Sequence, residues 1–545
     1  MVDRSGTEEL SFVGEPTGTP HAHLLRERDG TLAHDVKPLR QDPQSTCLLT
    51  GFSLLKLLVG VYAALPGVYG YFRDEFYYLD CASNLAWGYV DQPPLSLLIL
   101  AVTRGILGPS VLAIRLPVIL AGAATVFVSG LIARAMGGGR FAQAITCLCI
   151  LVAPVHLTMN SFFSMNAFDL LLWAVAIYLL VLIVQTDNAR LWIWFGLVAG
   201  LGLEDKLSVG FLGMALAVSL ILTPERKYYL DKHLWIGCGI AAVLFVPHVL
   251  WQAANHWPTL EFMRNASQSK NVPTTFVKFL LGQLLYMGPA TAPIWICGLL
   301  FPFLSADGRR FRLFSFTYLV LFFVFLWTNG KSYYLSPAYP MLLAMGAVWA
   351  EETFLRKAWP RAVAVGVLVV FGLILAPYAV PVLSPEAFIR YQNTLGLKVP
   401  QQERAHAGVL PQHLGDRLGW EEMVAMLGEA YNKLDPADRA RCAVLVSNYG
   451  EAGAVNLFGP RYGLPHAISG YMNNYLWGPR GATGEVVLAY WDDRSTLVDL
   501  FEEVAEVARF QHPFVMDRQN NRPLYLCRRI RAPMNEAWPK FKTFK

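Results

Sequence analysis

A succession of apolar runs, each near twenty residues long, recurs from Cys47 to Pro381 and limits what this chain can become more than any other feature. Such a run, coiled as a helix, crosses a hydrocarbon core of about 30 Å, and no soluble core needs so many of them. Charge is correspondingly scarce: 16% of the residues are charged and 54% are hydrophobic, where a soluble domain carries roughly 25% charged residues. About eleven spans are expected, centred near Leu58, Val118, Leu148, Ala176, Leu197, Ala215, Ala242, Ile294, Leu321, Leu343 and Leu368. The stretch 95–107, interrupted by Arg104 and followed by Pro109, is expected to lie as a helix in the membrane interface.

Charge placement orients the spans. Basic residues concentrate in alternate loops: Arg134 and Arg140; Arg190; Arg226, Lys227 and Lys232; Arg309, Arg310 and Arg312; Arg356, Lys357 and Arg361. By the positive-inside rule these loops are cytoplasmic. The polar and acidic loops 71–92, 160–169, 204–206, 252–278 and 329–334 then face out. Residues 1–46 are polar and broken by Pro, Gly and Thr, and the first apolar run begins too late for a cleaved signal peptide, so a disordered cytoplasmic tail is expected. An odd number of spans places everything after Pro381 outside.

From 384 to 545 the composition becomes that of a soluble domain. Residues 420–434 have helical periodicity, 443–446, 486–490 and 524–527 read as strands, and 496–508 as a helix. The expected architecture is mainly α: a polytopic helical bundle over 47–383 with an extracytoplasmic α/β domain over 384–545. The net charge of +5 is scattered between apolar runs without a basic stripe, which sets nucleic acid aside. No internal repeat marks a two-fold transporter. The eight cysteines form no CxxC pair and no zinc spacing. Cys47, Cys147, Cys149, Cys238 and Cys297 fall in or beside apolar runs as packing residues, and Cys442 and Cys527 can pair only if their region is extracytoplasmic.

The strongest polar cluster follows the first span: Tyr71-Phe-Arg-Asp-Glu-Phe-Tyr-Tyr-Leu-Asp80, then Trp87-Gly-Tyr-Val-Asp-Gln-Pro-Pro94. The adjacent carboxylates Asp74 and Glu75 are either solvated loop charges beside an interfacial aromatic belt or the acid–base pair of a site at the bilayer surface. Further strings follow in order: Asn160-Ser-Phe-Phe-Ser-Met-Asn-Ala-Phe-Asp169, Gly200-Leu-Gly-Leu-Glu-Asp-Lys-Leu-Ser208, Gly330-Lys-Ser-Tyr-Tyr-Leu-Ser-Pro-Ala-Tyr-Pro340, Asn448-Tyr-Gly-Glu-Ala-Gly453 and Gly459-Pro-Arg-Tyr-Gly-Leu-Pro465. In this order they resemble the glycosyltransferase-C superfamily, in its protein O-mannosyltransferase-like and aminoarabinose-transferase-like branch, family 39.

That resemblance implies a glycosyltransferase that moves a hexosyl or pentosyl unit from a polyprenyl-phosphate donor to an extracytoplasmic glycan, lipid or protein, with inversion. It makes Asp74 the base, Glu75 its orienting partner or the acceptor's, and Asp169 a second acid of the cavity, although Asp169 also suits a helix cap. Lys206, Lys331 and Arg73 would hold the donor phosphate, with Arg264, Lys270 and Lys278 as further candidates, against snorkelling as the ordinary fate of a terminal lysine. Tyr77, Tyr333 and Tyr334 would contact substrate. Glu204 and Asp205 either bind a cation or neutralise Lys206. No metal site is expected, since His156 and His256 have no ligand partner in sequence, although some superfamily members are thought to use a divalent cation. The chain departs from the family pattern at Tyr471, where many relatives are expected to carry histidine. A bacterial plasma membrane is the expected location.

Overall fold

The computed structural model describes residues 42–65, 67–269, 275–396 and 408–545. The first part of the chain is helical: α1 Pro43–Ala64, α2 Arg73–Ser83, α3 Leu95–Leu107, α4 Val111–Ala135, α5 Arg140–Val152, α6 Pro154–Met159, α7 Met165–Thr186, α8 Leu191–Asp205, α9 Ser208–Ile221, α10 Lys232–Ala254, α11 Pro258–Ser269, α12 Phe276–Met287, α13 Ala292–Leu304, α14 Arg312–Trp327, α15 Tyr339–Glu352 and α16 Ala358–Ala379. All eleven expected span centres fall within these helices. Six described segments are long and apolar enough to cross a membrane alone: α1, α4, α7, α10, Arg309–Trp327 and α16. Two pairs qualify only together, Ser208–Ile221 with Pro224–Leu230 bent by 111°, and Phe276–Met287 with Pro289–Leu304 bent by 94°. The centres near Leu148, Leu197 and Leu343 lie in helices of 13, 15 and 14 residues, shorter than the ~20 a straight crossing needs. Residues 1–41 of the expected tail lie outside the described residues, and α1 starts at Pro43 because the Asp42 carboxylate caps the Gln44 N–H at 3.1 Å.

The loops sort to two ends of the bundle. At one end are the basic loops: Arg140 pairs with Asp42 at 2.7 Å, Arg134 donates to Ser45 at 2.8 Å, Lys227 pairs with Asp187 at 2.7 Å and Arg310 donates to Gln185 at 3.2 Å. At the other end the polar loops meet. The Phe163 N–H reaches Glu75 at 2.6 Å, Lys206 reaches Asp169 at 3.0 Å, and the Gln252 amide donates to the Tyr89 carbonyl at 3.1 Å.

Beyond α16 come α17 Pro385–Leu395, α18 Gln412–Gly415, α19 Trp420–Asn432, α20 Pro436–Arg441 and α21 Tyr449–Phe458, with strands β1 Cys442–Val446, β2 Ala467–Ile468, β3 Val486–Tyr490, β4 Phe501–Phe510 and β5 Arg522–Ile530. The five-stranded sheet runs β2-β1-β3-β5-β4. β1 is parallel to β2 and β3, while β5 is antiparallel to β3 and β4. One face buries Val444, Val486 and Leu488 with residues of α19 and α21; the other buries Leu445, Val487 and Ala489 with Trp538 and Phe541.

The helix expected over 496–508 stops at Leu500, and the chain continues as β4. Glu and Ala favour a helix locally, but pairing with β5 overrides that preference. The exposed glutamates make cross-strand ion pairs, Arg529 with Glu502 at 2.7 Å and with Glu503 at 2.6 Å, and they blunt the sheet edge. Cys442 and Cys527 are both free thiols. Cys442 faces Val486 and Cys527 faces Val487 across β3, so two strand spacings separate them and their side chains leave the sheet on opposite faces.

Candidate active site

The site begins with the start of α2. Asp74 and Glu75 occupy its first turn, where the helix dipole favours carboxylates. Glu75 is fully buried and makes four bonds: Arg115 of α4 donates through Nε at 2.8 Å and Nη2 at 2.7 Å, and the backbone N–H groups of Phe72 and Phe163 donate at 2.8 and 2.6 Å. Arg115 also donates to the Gly70 carbonyl at 2.9 Å. Glu75 thus ties together the entry to α2, the top of α4 and the 160–164 loop.

Asp74 differs in exposure. Its side chain is 33% exposed. Oδ1 accepts the Tyr449 hydroxyl at 2.7 Å and Arg73 Nε at 3.2 Å, while Oδ2 makes no hydrogen bond to the described residues. Tyr449 is held beside α2 because α21 approaches it through glycines: a Cβ on Gly453 would stand 2.5 Å from the Phe76 carbonyl oxygen, and one on Gly450 would stand 2.4 Å from Arg73 Cγ. Burial pushes the Tyr449 phenol well above its ordinary range, with Arg73 opposing and Asp74 reinforcing. It therefore stays protonated and donates. Arg73 lies 5.3 Å from the Tyr449 ring and 3.7 Å from Asp416, which Arg518 also holds at 3.0 Å.

Tyr77, one turn on, is buried with its hydroxyl 2.8 Å from Asp91 and 3.0 Å from Asn473. Burial and the Asp91 charge raise its pKa far above the phenol range. On the same helix Asp80 is buried, receives the Asn456 amide at 2.8 Å, and has its carboxyl pushed up to about 7 by burial.

A second cluster gathers the later motifs. Asp169 is buried and accepts Lys206 Nζ at 3.0 Å and the Ser208 hydroxyl. Lys206 also donates to Asn166 at 2.8 Å and stands 5.6 Å from the Tyr334 ring. Tyr333 and Tyr334 pack with ring centroids 4.8 Å apart, and the Lys331 carbonyl accepts the Tyr334 N–H at 2.9 Å. Beside the lysine, Asp205 is fully buried and neither of its oxygens finds a hydrogen-bond donor.

Tyr78 joins the two clusters. Its hydroxyl accepts the Met165 N–H at 3.5 Å and feels the charges of Asp91, Asp74 and Asp205. Asp74, Asp169, Lys206, Tyr77, Tyr333, Tyr334 and Arg73 therefore share one end of the bundle, and Lys331 sits one turn from Tyr334. Arg264, Lys278 and His256 are exposed, and Lys270 lies outside the described residues. His156 is buried in α6 with both ring nitrogens unpartnered, and its carbonyl accepts Lys56 Nζ at 2.9 Å. Among the described residues no three His, Cys, Asp or Glu side chains converge as a metal site.

Sequence reasoning missed Arg115, Tyr449 as a partner of Asp74, and the Asn166 and Ser208 bonds to the lysine–aspartate pair. Arg115 had a signal, since an arginine inside the apolar run 111–133 needs a buried partner.

Residues 91–251, which carry Asp91, Asp169, Lys206 and Ser208, match the family model described as dolichyl-phosphate-mannose-protein mannosyltransferase. The matched stretch is less than a third of the chain; taken with the helical fold, it supports a membrane glycosyltransferase. Among solved structures it is similar to ArnT from Cupriavidus metallidurans in the apo state, with a TM-score of 0.58 and 15% identity over 89% of this chain and 98% of that one. It is similar also to ArnT bound to undecaprenyl phosphate, with a TM-score of 0.54 and 16% identity over 88% and 98%. No curated protein matches the chain by sequence.

Proposed function

We propose that the chain transfers a sugar from a polyprenyl-phosphate donor to an acceptor on the extracytoplasmic side of a bacterial plasma membrane, with Asp74 as the general base. The observation that carries this reading is the contrast between the two carboxylates of α2. Glu75 spends both oxygens on Arg115 and two backbone amides, whereas Asp74 is partly exposed and aimed by Tyr449 and Arg73. A carboxylate with one oxygen fixed and the other open suits proton removal from an incoming hydroxyl.

In the reaction, the acceptor hydroxyl loses its proton to Asp74 and attacks C1 of the sugar. The bond from C1 to the phosphate oxygen breaks on the opposite face, configuration inverts, and the polyprenyl phosphate departs as a stable anion that needs no acid. Lys206, held ready by Asp169 and Asn166, meets the phosphate as a point charge, with Lys331 and Arg73 on neighbouring elements. Glu75 acts as a positioning residue. Tyr77, Tyr333 and Tyr334 line the substrate space. ArnT has been solved with undecaprenyl phosphate bound, which supports a lipid of that class as the carrier.

The eleven crossings, the division of the chain at 47–383 and 384–545, a cytoplasmic amino terminus and an extracytoplasmic sheet domain belong to the same proposal. The separation of basic and polar loops to opposite ends supports it. A transporter or flippase would use similar buried charges, but the family match and the fold favour transfer chemistry.

The test is Asp74→Asn in a strain lacking the native protein. Mass spectrometry of lipid-linked sugars and envelope glycans reads the result. Transfer is expected to fall by about 10²–10⁴-fold while the protein still inserts and folds, and the donor accumulates. Undiminished transfer removes Asp74 from the chemistry.

A further inference from the structure

Residues 541–545 run through the site rather than past it. The Thr543 N–H donates to the Gly470 carbonyl at 2.8 Å and the Met472 N–H donates to the Thr543 carbonyl at 3.1 Å, closing a parallel bridge on either side of Tyr471. The Tyr471 hydroxyl donates to the Lys545 carbonyl. The bridge is close enough to demand glycine at 470, where a Cβ would stand 2.0 Å from the Phe541 carbonyl oxygen.

The segment is also fastened from its other side. Lys542 pairs with Glu261 of α11 at 2.7 Å, and the Asn265 amide of the same helix donates to the Phe544 carbonyl at 2.8 Å. Phe544 is 3% exposed and belongs to the buried cluster of Tyr77, Tyr78, Tyr449 and Met472. Its ring lies 5.8 Å from that of Tyr475, and Lys542 Nζ stands 4.6 Å from it. Tyr471 in turn packs edge-on against Tyr449 at 5.3 Å, and Tyr449 packs on Tyr77 at 4.9 Å.

A phenol that aims a carboxylate is useful only if its ring cannot move, and aromatic edge contacts fix a ring's tilt. Tyr449 has Arg73 and Tyr77 on its α2 side. Its ring also packs edge-on against Tyr471, which is itself held through the bonds of residues 541–545. We infer that residues 541–545 are a strap that positions the base: by locking Tyr471 against Tyr449, they keep the Tyr449 hydroxyl on Asp74. Tyr471 then has a role of its own, because its phenol reaches the Lys545 carbonyl while its ring braces Tyr449. The inference rests on Asp74 acting as the base.

The experiment compares Tyr471→Phe, which removes one hydroxyl, with Gly470→Ala and Phe544→Ala, which dislodge the strap, all in the full chain. Hydrogen exchange is measured over residues 73–77 and 449–455, and steady-state transfer is measured alongside. Expected are faster exchange in both segments, a kcat reduced roughly 10- to 100-fold in the two dislodging variants and less in Tyr471→Phe, and KM values within about twofold of the parent. A purely structural role would lower the amount of folded enzyme and leave the kcat of the folded fraction unchanged. Unchanged exchange at 73–77, or an unchanged kcat with residues 541–545 exchanging freely, overturns the inference. A raised KM at constant kcat also overturns it, by assigning the strap to substrate entry. Should the parent protein transfer no sugar, the proposed function fails, and the exchange at 73–77 still decides whether the strap fixes α2.

Discussion

Glu75→Gln separates the two carboxylates of α2 most sharply. The substitution preserves shape and removes one charge from a pair in which Arg115 and Glu75 are both at most 1% exposed. Four donors converge on the carboxylate. Glutamine offers one accepting oxygen and turns an NH2 toward donors that need acceptors, leaving the Arg115 charge buried and uncompensated. Breaking a buried pair from one side costs about 3–5 kcal/mol, a large fraction of the ~5–15 kcal/mol that holds a folded domain together. Tryptophan fluorescence during unfolding in mild detergent reads the loss. Replacing both partners, Glu75→Leu with Arg115→Met, is expected to recover part of the loss of either single variant, because no buried charge then remains although the Phe72 and Phe163 N–H groups lose their acceptor, and the cycle with both singles gives the coupling. The folded fraction of Glu75→Gln is expected to keep measurable transfer, since Asp74 and Tyr449 are untouched. A variant as stable as the parent but devoid of transfer would refute the assignment of Glu75 to positioning and return it to the chemistry.

Asp80 gives a pH signature. Its carboxyl is raised from 3.8 to about 7 by burial, so between those values the folded state holds a proton that the unfolded state has released. The contribution of Asp80 to stability is then greatest below about pH 4 and falls by about 4 kcal/mol as pH rises to about 7, and Asp80→Asn is expected to remove that component of the slope in thermal unfolding measured from pH 5 to 8. Lys206→Met removes a charge-assisted contact worth about 1.5–3 kcal/mol and is expected to raise the KM for the lipid-linked donor by about 10- to 100-fold, more than it lowers kcat. Lys206→Arg is expected to restore little, because a planar fork does not fit the point-charge site between Asp169 and Asn166. Equal KM values for the parent and Lys206→Met would remove this lysine from donor binding.

Much of the molecule was legible because a bilayer writes its constraints in long windows. A run such as 165–186 announces a helix whatever packs against it, and the alternation of Arg and Lys between loops marks the two ends. The conspicuous polar strings were legible too: Lys206 pairs with Asp169, and Asp74 opens the neighbouring helix α2. Partnership was not legible. Nothing local shows that Glu75 faces Arg115 or that Asp74 faces Tyr449, because those contacts depend on how α4 and α21 cross α2, and crossing is set by glycines such as Gly453 whose importance appears only in three dimensions. The failed helix over 496–508 has the same origin: Glu503 and Ala505 favour a helix until β5 supplies a partner strand.

The bond from Tyr449 to Asp74 joins positions 375 apart along the chain. A nascent polypeptide that has already threaded its apolar segments through the translocon therefore carries the carboxylate but not the phenol that aims it. Competence arrives late in synthesis, when α21 docks on α2.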